Sequence, residues 1–202
     1  YMWAGIGDTY AKYYEATISS RGEQLEHFTS LGVALSLMCR NPLLEYGPKA
    51  YEDHKKKLST YDVEQVVLAI VVTTGIASIF LTKDFTPDYN SGLAHAIFYA
   101  LTSYPVIEKH HLHGEVVGFG VLLALLVDGE ETEFEKVYEL NKKIHLPVSL
   151  EEIEITEEQW EESMNRIPEM SDVAHYPYKV TKEMLSEAMR KLKERVQEDG
   201  EK

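Results

Sequence analysis

The stretch Ser91–Val127, SGLAHAIFYALTSYPVIEKHHLHGEVVGFGVLLALLV, contains two almost wholly apolar segments joined by a short polar connection. His95 lies near the amino-terminal end of the first segment, and His113 directly precedes the second. Apolar segments of this kind are typical of helices that are buried in a protein core. The stretch therefore predicts that two imidazole side chains are held in buried surroundings.

Composition and charge limit the class of protein. The chain has 202 residues, of which 44% are hydrophobic, and this is enough to build a compact core. Its formal net charge at pH 7 is −14. Binding to nucleic-acid phosphates requires concentrated Lys and Arg residues, which this sequence lacks. We therefore expect no nucleic-acid partner.

Two features bear on the cellular compartment. Cys39 is the single cysteine and has no partner for an intrachain disulfide, which favours a reducing, cytoplasmic location. The segment Val66–Leu81 is apolar, but Thr73, Thr74 and Ser78 interrupt it. A membrane-spanning helix needs about 20 predominantly apolar residues. We therefore expect this segment to be a buried core helix and expect no membrane association.

The pattern of apolar spacing, capping residues and helix breakers predicts an almost entirely helical chain. No run of residues alternates between polar and apolar as a strand would. The first predicted helix begins at Gly7–Asp8, which would place an acid in its first turn. Further helices are predicted over 23–40, 42–58 and 61–81, around His95, from His113 to Val127, and over 131–145, 157–166 and 182–197, with a loop at 83–90. We predict an all-α fold, a compact multi-helix bundle formed as one domain over residues 1–202.

A divalent metal site is the chemistry that the sequence supports best. Asp8, His95 and His113 offer a carboxylate and two imidazoles, each predicted near the start of a helix, and bundle cores commonly place metal ligands on facing helices. Glycines at 114, 118 and 120 would let the second apolar helix pack close to its neighbours. The alternative is a core histidine and a helix cap, and His110 and His111 offer a competing pair of imidazoles. The residues alone leave this choice open.

Three ordered motifs carry a resemblance to a known family. They are GIGDTYAKYYEA (5–16), SGLAHAIFYALTSYP (91–105) and HHLHGEVVGFGVLLALLV (110–127), and a tail segment PYKVTKEMLSEAM (177–189) follows in the same order. Together they resemble the carboxy-terminal helical domain of the iron-containing alcohol dehydrogenase superfamily, most closely its glycerol dehydrogenase branch. The resemblance covers essentially the whole chain.

The resemblance implies a site and a reaction. Asp8, His95 and His113 match the positions that bind one divalent metal in that family, with no further catalytic side chain from this domain. Iron-dependent members add a histidine one turn after the aspartate, where this chain has Lys12. This departure favours zinc over iron. The implied reaction is hydride transfer between an alcohol, such as a small polyol, and NAD or NADP.

Other expectations follow from the same resemblance. His110, His111 and Glu115 are candidates for residues that orient the ligands, as is Lys12. The amino-terminal α/β domain that holds the dinucleotide in the family is absent from this sequence, so no cofactor-binding residue is assigned. We expect the chain to form a homo-oligomer. The alternative hypothesis is a helical metal-binding or oligomerisation module without catalytic activity.

Overall fold

The computed structural model describes residues 1–83 and 89–200. Within these ranges the regular structure is helical and contains no β-strand, so the predicted all-α class is confirmed. The helices are α1 Met2–Ser19, α2 His27–Ser36, α3 Asn41–Lys55, α4 Tyr61–Leu68, α5 Thr74–Leu81, α6 Leu93–Leu101, α7 Pro105–His110, α8 His113–Asp128, α9 Glu131–Ile144, α10 Glu157–Met164 and α11 Lys182–Gly200.

Helix α8 is the centre of the bundle. Almost every residue between Gly114 and Leu126 is buried, and α1, α6, α9 and α11 all pack against it. A helix that is apolar on every side is stable only when neighbours surround it, because each buried Val, Leu or Phe side chain contributes about 1.5–3 kcal/mol. Gly129 ends the helix in a left-handed conformation with φ 76°. The helices that pack against α8 are therefore arranged around one buried central helix.

Helices α1 and α8 cross at a pair of glycines. A Cβ atom at Gly7 would lie 2.1 Å from the carbonyl oxygen of Gly114, and a Cβ atom at Gly114 would lie 1.9 Å from that of Ala4. No larger residue fits at either position without moving the backbones apart. The predicted role of the α8 glycines is confirmed, since Gly118 and Gly120 also approach neighbours too closely for a Cβ atom. This crossing sets the distance between the two helices.

The start of α1 differs from the sequence prediction. The helix begins at Met2, so Asp8 lies in its second turn and the prediction of an acid in the first turn is wrong. Met2, Ala4 and Ile6 are buried against the core, and this packing extends the helix towards the amino terminus. The helix N-terminus therefore does not contribute to the electrostatics of Asp8.

Two further boundaries were misplaced. The predicted helix over 23–40 is shorter, because α2 ends at Ser36 and a 3₁₀ turn, Leu37–Cys39, follows it. Residues 105–110, interpreted as part of a polar connection, form α7, with Pro105 at its first position. The predicted loop at 83–90 falls mostly on residues 84–88, which lie outside the described ranges.

The helices predicted to begin at residues 61 and 157 do begin there, each after a capping threonine. The Thr60 hydroxyl accepts a hydrogen bond from the backbone N–H of Val63, and Thr156 forms a reciprocal capping box with Gln159. A hydroxyl oxygen at this position satisfies one of the free N–H groups of the first helical turn. Helix α10 ends at Met164, two residues before the predicted end at Arg166.

The long helix Tyr61–Leu81 is not the buried core helix that the sequence predicted. Its halves α4 and α5 are joined by a π-helical turn at Ala69–Thr73. By length and composition it is the one helix of the described residues that is apolar enough to cross a membrane. Only 17% of its most apolar stretch is buried against the rest of the protein. Ala69 and Ala77 face the core, whereas Val71 and Ile79 are each 67% exposed. A broad apolar face therefore remains uncovered.

The glycine crossing gives a direct test of the packing. Replacing Gly114→Ala is expected to lower the free energy of unfolding by about 3 kcal/mol, because the new methyl group meets backbone atoms that cannot rotate away. Chemical denaturation followed by circular dichroism measures this difference. The matched control is Gly75→Ala, where the added Cβ atom meets nothing within 4 Å and a small gain in stability is expected. Equal effects of the two changes would contradict the account.

The hydrogen bonds of Glu133 predict that the stability of the fold falls at acid pH. The Glu133 carboxylate accepts hydrogen bonds from Tyr14 Oη at 2.9 Å and Arg40 Nε at 2.8 Å. Burial raises the pKa of Glu133, but bonds from Lys136, Arg40 and Tyr14 outweigh it and lower this pKa from 4.5 to about 2. A carboxyl group whose pKa is lower in the folded than in the unfolded protein stabilises the fold at pH values above the unfolded pKa. This stabilisation is lost as the pH falls through the folded pKa.

We therefore expect Glu133→Gln to lower the stability by about 1 kcal/mol at pH 7, a value reduced for the solvent exposure of the contact. The difference from the unchanged protein is expected to shrink between pH 4.5 and about 2. Urea denaturation at a series of pH values measures it. A difference that stays constant down to pH 2 would show that the carboxylate charge is not involved.

Candidate metal centre

Three side chains from three helices meet at one end of the α1–α8 crossing. Asp8 comes from α1, His95 from α6 and His113 from α8. Asp8 Oδ1 lies 3.2 Å from His113 Nε2 and 3.5 Å from His95 Nε2. One donor atom from each residue lies within 4.8 Å of the others. The residues that the sequence singled out, 87 and 105 positions from Asp8 along the chain, are thus brought together in space.

The spacing of these atoms suits a small divalent cation. Two ligands about 2.1 Å from a tetrahedral zinc ion are about 3.4 Å apart, and the two Asp8 distances are close to this value. The site is closed on one side and open on the other, because the His95 side chain is 8% exposed while that of His113 is 43% exposed. An arrangement of three protein donors with one accessible side is typical of catalytic rather than structural zinc sites.

Glu15 holds the buried histidine in place, and the sequence analysis missed it. Its side chain is 1% exposed, and its Oε2 atom lies 2.6 Å from His95 Nδ1. Its Oε1 atom accepts hydrogen bonds from the backbone N–H groups of Gly92 and His95, both at 2.9 Å. An ionised carboxylate only accepts, so His95 Nδ1 carries a proton and Nε2 is the atom directed at Asp8.

This arrangement matches a known way of preparing a metal ligand. A histidine that binds a metal usually donates its second ring N–H to a carboxylate, which fixes the ring and makes its free nitrogen more basic. A signal for Glu15 was present in the sequence. It lies seven residues after Asp8, two helical turns along the same face of α1. The carboxylate and the candidate ligand therefore approach His95 from one helix.

The carboxylates and imidazoles of the cluster stabilise one another's charged forms. Burial raises the pKa of the Asp8 carboxyl, but hydrogen bonds to His113 and His95 outweigh it and hold this pKa well below its usual range. Burial lowers the pKa of His95, but the Glu15 carboxylate and the bond to Asp8 raise it to about 9. The carboxylates of Asp8 and Glu15 favour a positive charge at this position, whether it is the proton on His95 or a metal ion that replaces it. Such a site attracts a cation.

Lys12 lies one turn after Asp8, as the sequence requires, but its ammonium group is directed elsewhere. The side chain is buried and Lys12 Nζ donates a hydrogen bond to the carbonyl oxygen of Asn90 at 2.5 Å. Its charge contributes to the low pKa of Asp8. Lys12 therefore supports the ionised state of Asp8 and anchors the segment that precedes α6.

The remaining predicted residues lie beside the centre and do not join it. His110 Nδ1 lies 2.9 Å from Glu154 Oε1, and His111 Nε2 is 3.5 Å from the same oxygen. Glu115 accepts hydrogen bonds from the Leu112 N–H at 2.6 Å and from Trp3 Nε1 at 2.8 Å. Glu115 thus fastens the start of α8 to α1 directly after His113, whereas both histidines contact Glu154.

Comparisons with known proteins find relatives among dehydrogenases. No family model matches the chain. Hydroxycarboxylate dehydrogenase A of Escherichia coli (strain K12) is 33% identical over 156 residues, which is 77% of this chain and 42% of that protein. Glycerol dehydrogenase of Pseudomonas putida is 33% identical over 164 residues, or 77% of this chain and 41% of that protein. The chain spans less than half the length of these curated relatives.

The solved structures extend the likeness to the fold. Glycerol dehydrogenase from Schizosaccharomyces pombe matches with a TM-score of 0.80 and 22% sequence identity over 98% of this chain and 50% of that one. The fold and the matched sequences define an all-helical unit of the kind found in polyol dehydrogenases. The chain is a homologue of the glycerol dehydrogenases of the iron-containing alcohol dehydrogenase superfamily, so the resemblance of its motifs is confirmed.

The role of Glu15 can be tested without activity. Two of the three groups that face its oxygens are backbone N–H donors, so Glu15→Gln would keep the amide oxygen there and turn its NH₂ group towards His95 Nδ1. Nδ1 can accept that bond only if the ring carries its proton on Nε2, the nitrogen directed at the centre. We expect the free energy of unfolding to fall by about 2–3 kcal/mol and the affinity for zinc to fall about 10–100-fold. Denaturation and calorimetric zinc titration measure the two effects.

The control for this experiment is Glu139→Gln, which removes the same charge from an exposed ion pair with Arg195. It is expected to change stability by no more than about 0.5 kcal/mol and to leave zinc affinity unchanged. Unchanged zinc affinity in Glu15→Gln would mean that the carboxylate serves only the start of α6.

Proposed function

We propose that this chain is the metal-binding half of an NAD-linked dehydrogenase that acts on small polyols or alcohols. The observation that carries the proposal is the convergence of Asp8, His95 and His113, whose donor atoms lie within 4.8 Å of one another on three different helices. The relation to glycerol dehydrogenases supports the same reading. Neither observation depends on the other.

Each residue has a defined part. Asp8, His95 and His113 would hold one divalent cation. Glu15 accepts a hydrogen bond from Nδ1–H of His95, which leaves Nε2 as the nitrogen directed at the centre, and the glycine crossing keeps Asp8 and His113 close enough to share one ion. A divalent cation held there would supply Lewis acidity, which would lower the pKa of an alcohol hydroxyl.

The donor set favours zinc over iron. It consists of one carboxylate and two imidazoles, and Lys12 occupies the position where a further imidazole would follow Asp8 by one turn. Three protein donors and one open side suit a tetrahedral zinc ion, whereas iron sites of this superfamily use a fourth protein donor. The Lys12 ammonium group bonds Asn90 and does not compete for the ion.

The aromatic surroundings of His113 fit a small neutral substrate. The ring of Phe98 lies 4.3 Å from that of His113, centroid to centroid, at an angle of 79°. The exposed ring of Tyr99 lies 6.2 Å from that of His95 and 5.4 Å from that of Phe98.

Hydride transfer requires a nicotinamide, and a second half of the enzyme would supply its binding site. The relatives are more than twice as long as the matched segment. The proposal therefore includes NAD or NADP held by an amino-terminal α/β domain, a cytoplasmic location and self-association. The isolated chain is expected to bind metal without turning over NAD.

Metal analysis of the purified chain tests the proposal. We expect about one zinc per chain after equilibration with zinc and removal of the excess, and less than about a tenth of that in the double variant His95→Ala, His113→Ala. The control is His27→Ala with His54→Ala, which removes two exposed histidines. Circular dichroism checks that each variant is folded.

Three results would count against the proposal. Equal zinc in the unchanged chain and in the double variant would place the metal elsewhere, and absence of zinc from both would favour a helical module without a metal-dependent activity. NAD-dependent oxidation of glycerol by the isolated chain would contradict the need for a second half.

A further inference from the structure

The two candidate histidine ligands are held in the site in different ways. His95 is buried, and the Glu15 carboxylate accepts a hydrogen bond from its Nδ1 atom at 2.6 Å. The side chain of His113 is 43% exposed, and its polar contact among the described residues is the 3.2 Å approach of Nε2 to Asp8 Oδ1. Bonds to a metal ion would replace this contact. The orientation of the His113 ring therefore needs a support other than hydrogen bonding.

Phe98 supplies an apolar support. Its ring centroid lies 4.3 Å from that of His113 and the two planes meet at 79°, an edge-to-face arrangement that aromatic rings favour. Phe98 is partly buried and packs against the hydrophobic core, which holds its own ring in place. The ring of His95 also lies 5.3 Å from that of His113, tilted by 48°. Two rings of α6 thus contact the imidazole that α8 carries.

The packing of α6 on α8 explains this contact. His95 and Phe98 are three residues apart, so they lie on the same face of α6. The two backbones approach closely at Gly120, where a Cβ atom would lie 2.7 Å from the carbonyl oxygen of Ala94. His113 precedes Gly120 by seven residues, which is two turns along the same face of α8. Docking of the two helices at Gly120 therefore brings Phe98 against His113.

We propose that Phe98 is the positioning residue of His113, in the way that Glu15 is the positioning residue of His95. The Phe98 ring limits rotation of the imidazole about χ2, so Nε2 stays directed at Asp8 before a metal ion binds. A ligand that is already oriented loses less conformational entropy when it binds the ion. The inference rests on the proposed function, because it concerns a ligand of the same metal centre.

Carbon-13 relaxation of the histidine rings in the metal-free chain tests the inference without any ligand. The His113 ring of the unchanged chain is expected to be rigid on the picosecond-to-nanosecond timescale, with an order parameter of about 0.8. Phe98→Leu is expected to lower this order parameter below about 0.6 and to leave that of His95 unchanged. Phe98→Tyr keeps an aromatic ring at this position and is expected to keep His113 rigid.

The matched control is Tyr99→Leu, which removes the neighbouring aromatic ring of the same helix. Tyr99 is exposed, and its ring lies 6.2 Å from that of His95 and 5.4 Å from that of Phe98. This change is expected to leave the His113 order parameter at its original value. Circular dichroism checks that every variant is folded.

Calorimetric zinc titration connects the ring orientation to metal binding. Phe98→Leu is expected to weaken zinc binding about 3–10-fold, the size of one aromatic contact, and Phe98→Tyr is expected to retain the original affinity. The same Phe98→Leu change made in a His113→Ala chain is expected to alter zinc affinity by less than about 2-fold, because Phe98 acts through His113.

Three outcomes would overturn the inference. A mobile His113 ring in the unchanged chain would do so, and so would a ring that Phe98→Leu leaves as rigid as before. The third is a loss of zinc affinity on Phe98→Leu that is equally large with and without His113. A rigid His113 ring that loosens in Phe98→Leu, in a chain that binds no zinc, would support the positioning by Phe98 and contradict the proposed function.

Discussion

The close contact between the α1 and α8 backbones is the constraint on which the candidate centre depends. At Gly7 and Gly114 the two helices approach so closely that neither position admits a Cβ atom. Asp8 follows the first glycine and His113 precedes the second, so the residues that flank the contact meet across it. Any change that separates the helices also separates the carboxylate from the imidazole.

The buried carboxylate of Glu15 positions His95, the third residue of the centre. An ionised group in the core is costly unless donors surround it. Glu15 meets three donors, all on the segment that carries His95, so the cost of burying the charge is offset only when α6 is docked with its histidine correctly turned. The same contacts therefore serve stability and the geometry of the centre. The buried Lys12 nearby ties down the backbone at Asn90, immediately before α6.

Much of this arrangement was predictable because it is written in local patterns. The apolar run of α8, the threonine caps at Thr60 and Thr156, and the three candidate ligands are all visible in the sequence. What escaped prediction depends on tertiary contacts. Helix α1 starts early because its first residues pack against the core, and the exposed face of Tyr61–Leu81 looks the same in sequence as a buried one. Hydrophobicity indicates that a face must be covered, and it does not say by what.

The central claim is that Asp8, His95 and His113 bind one metal ion on this helical domain. Anomalous diffraction from crystals of the chain grown with zinc tests it most directly. The account predicts one strong peak about 2.1 Å from Asp8, His95 Nε2 and His113 Nε2, with Glu15 still bonded to His95 Nδ1. A peak elsewhere, or three side chains that remain bonded to one another without a peak among them, would contradict it.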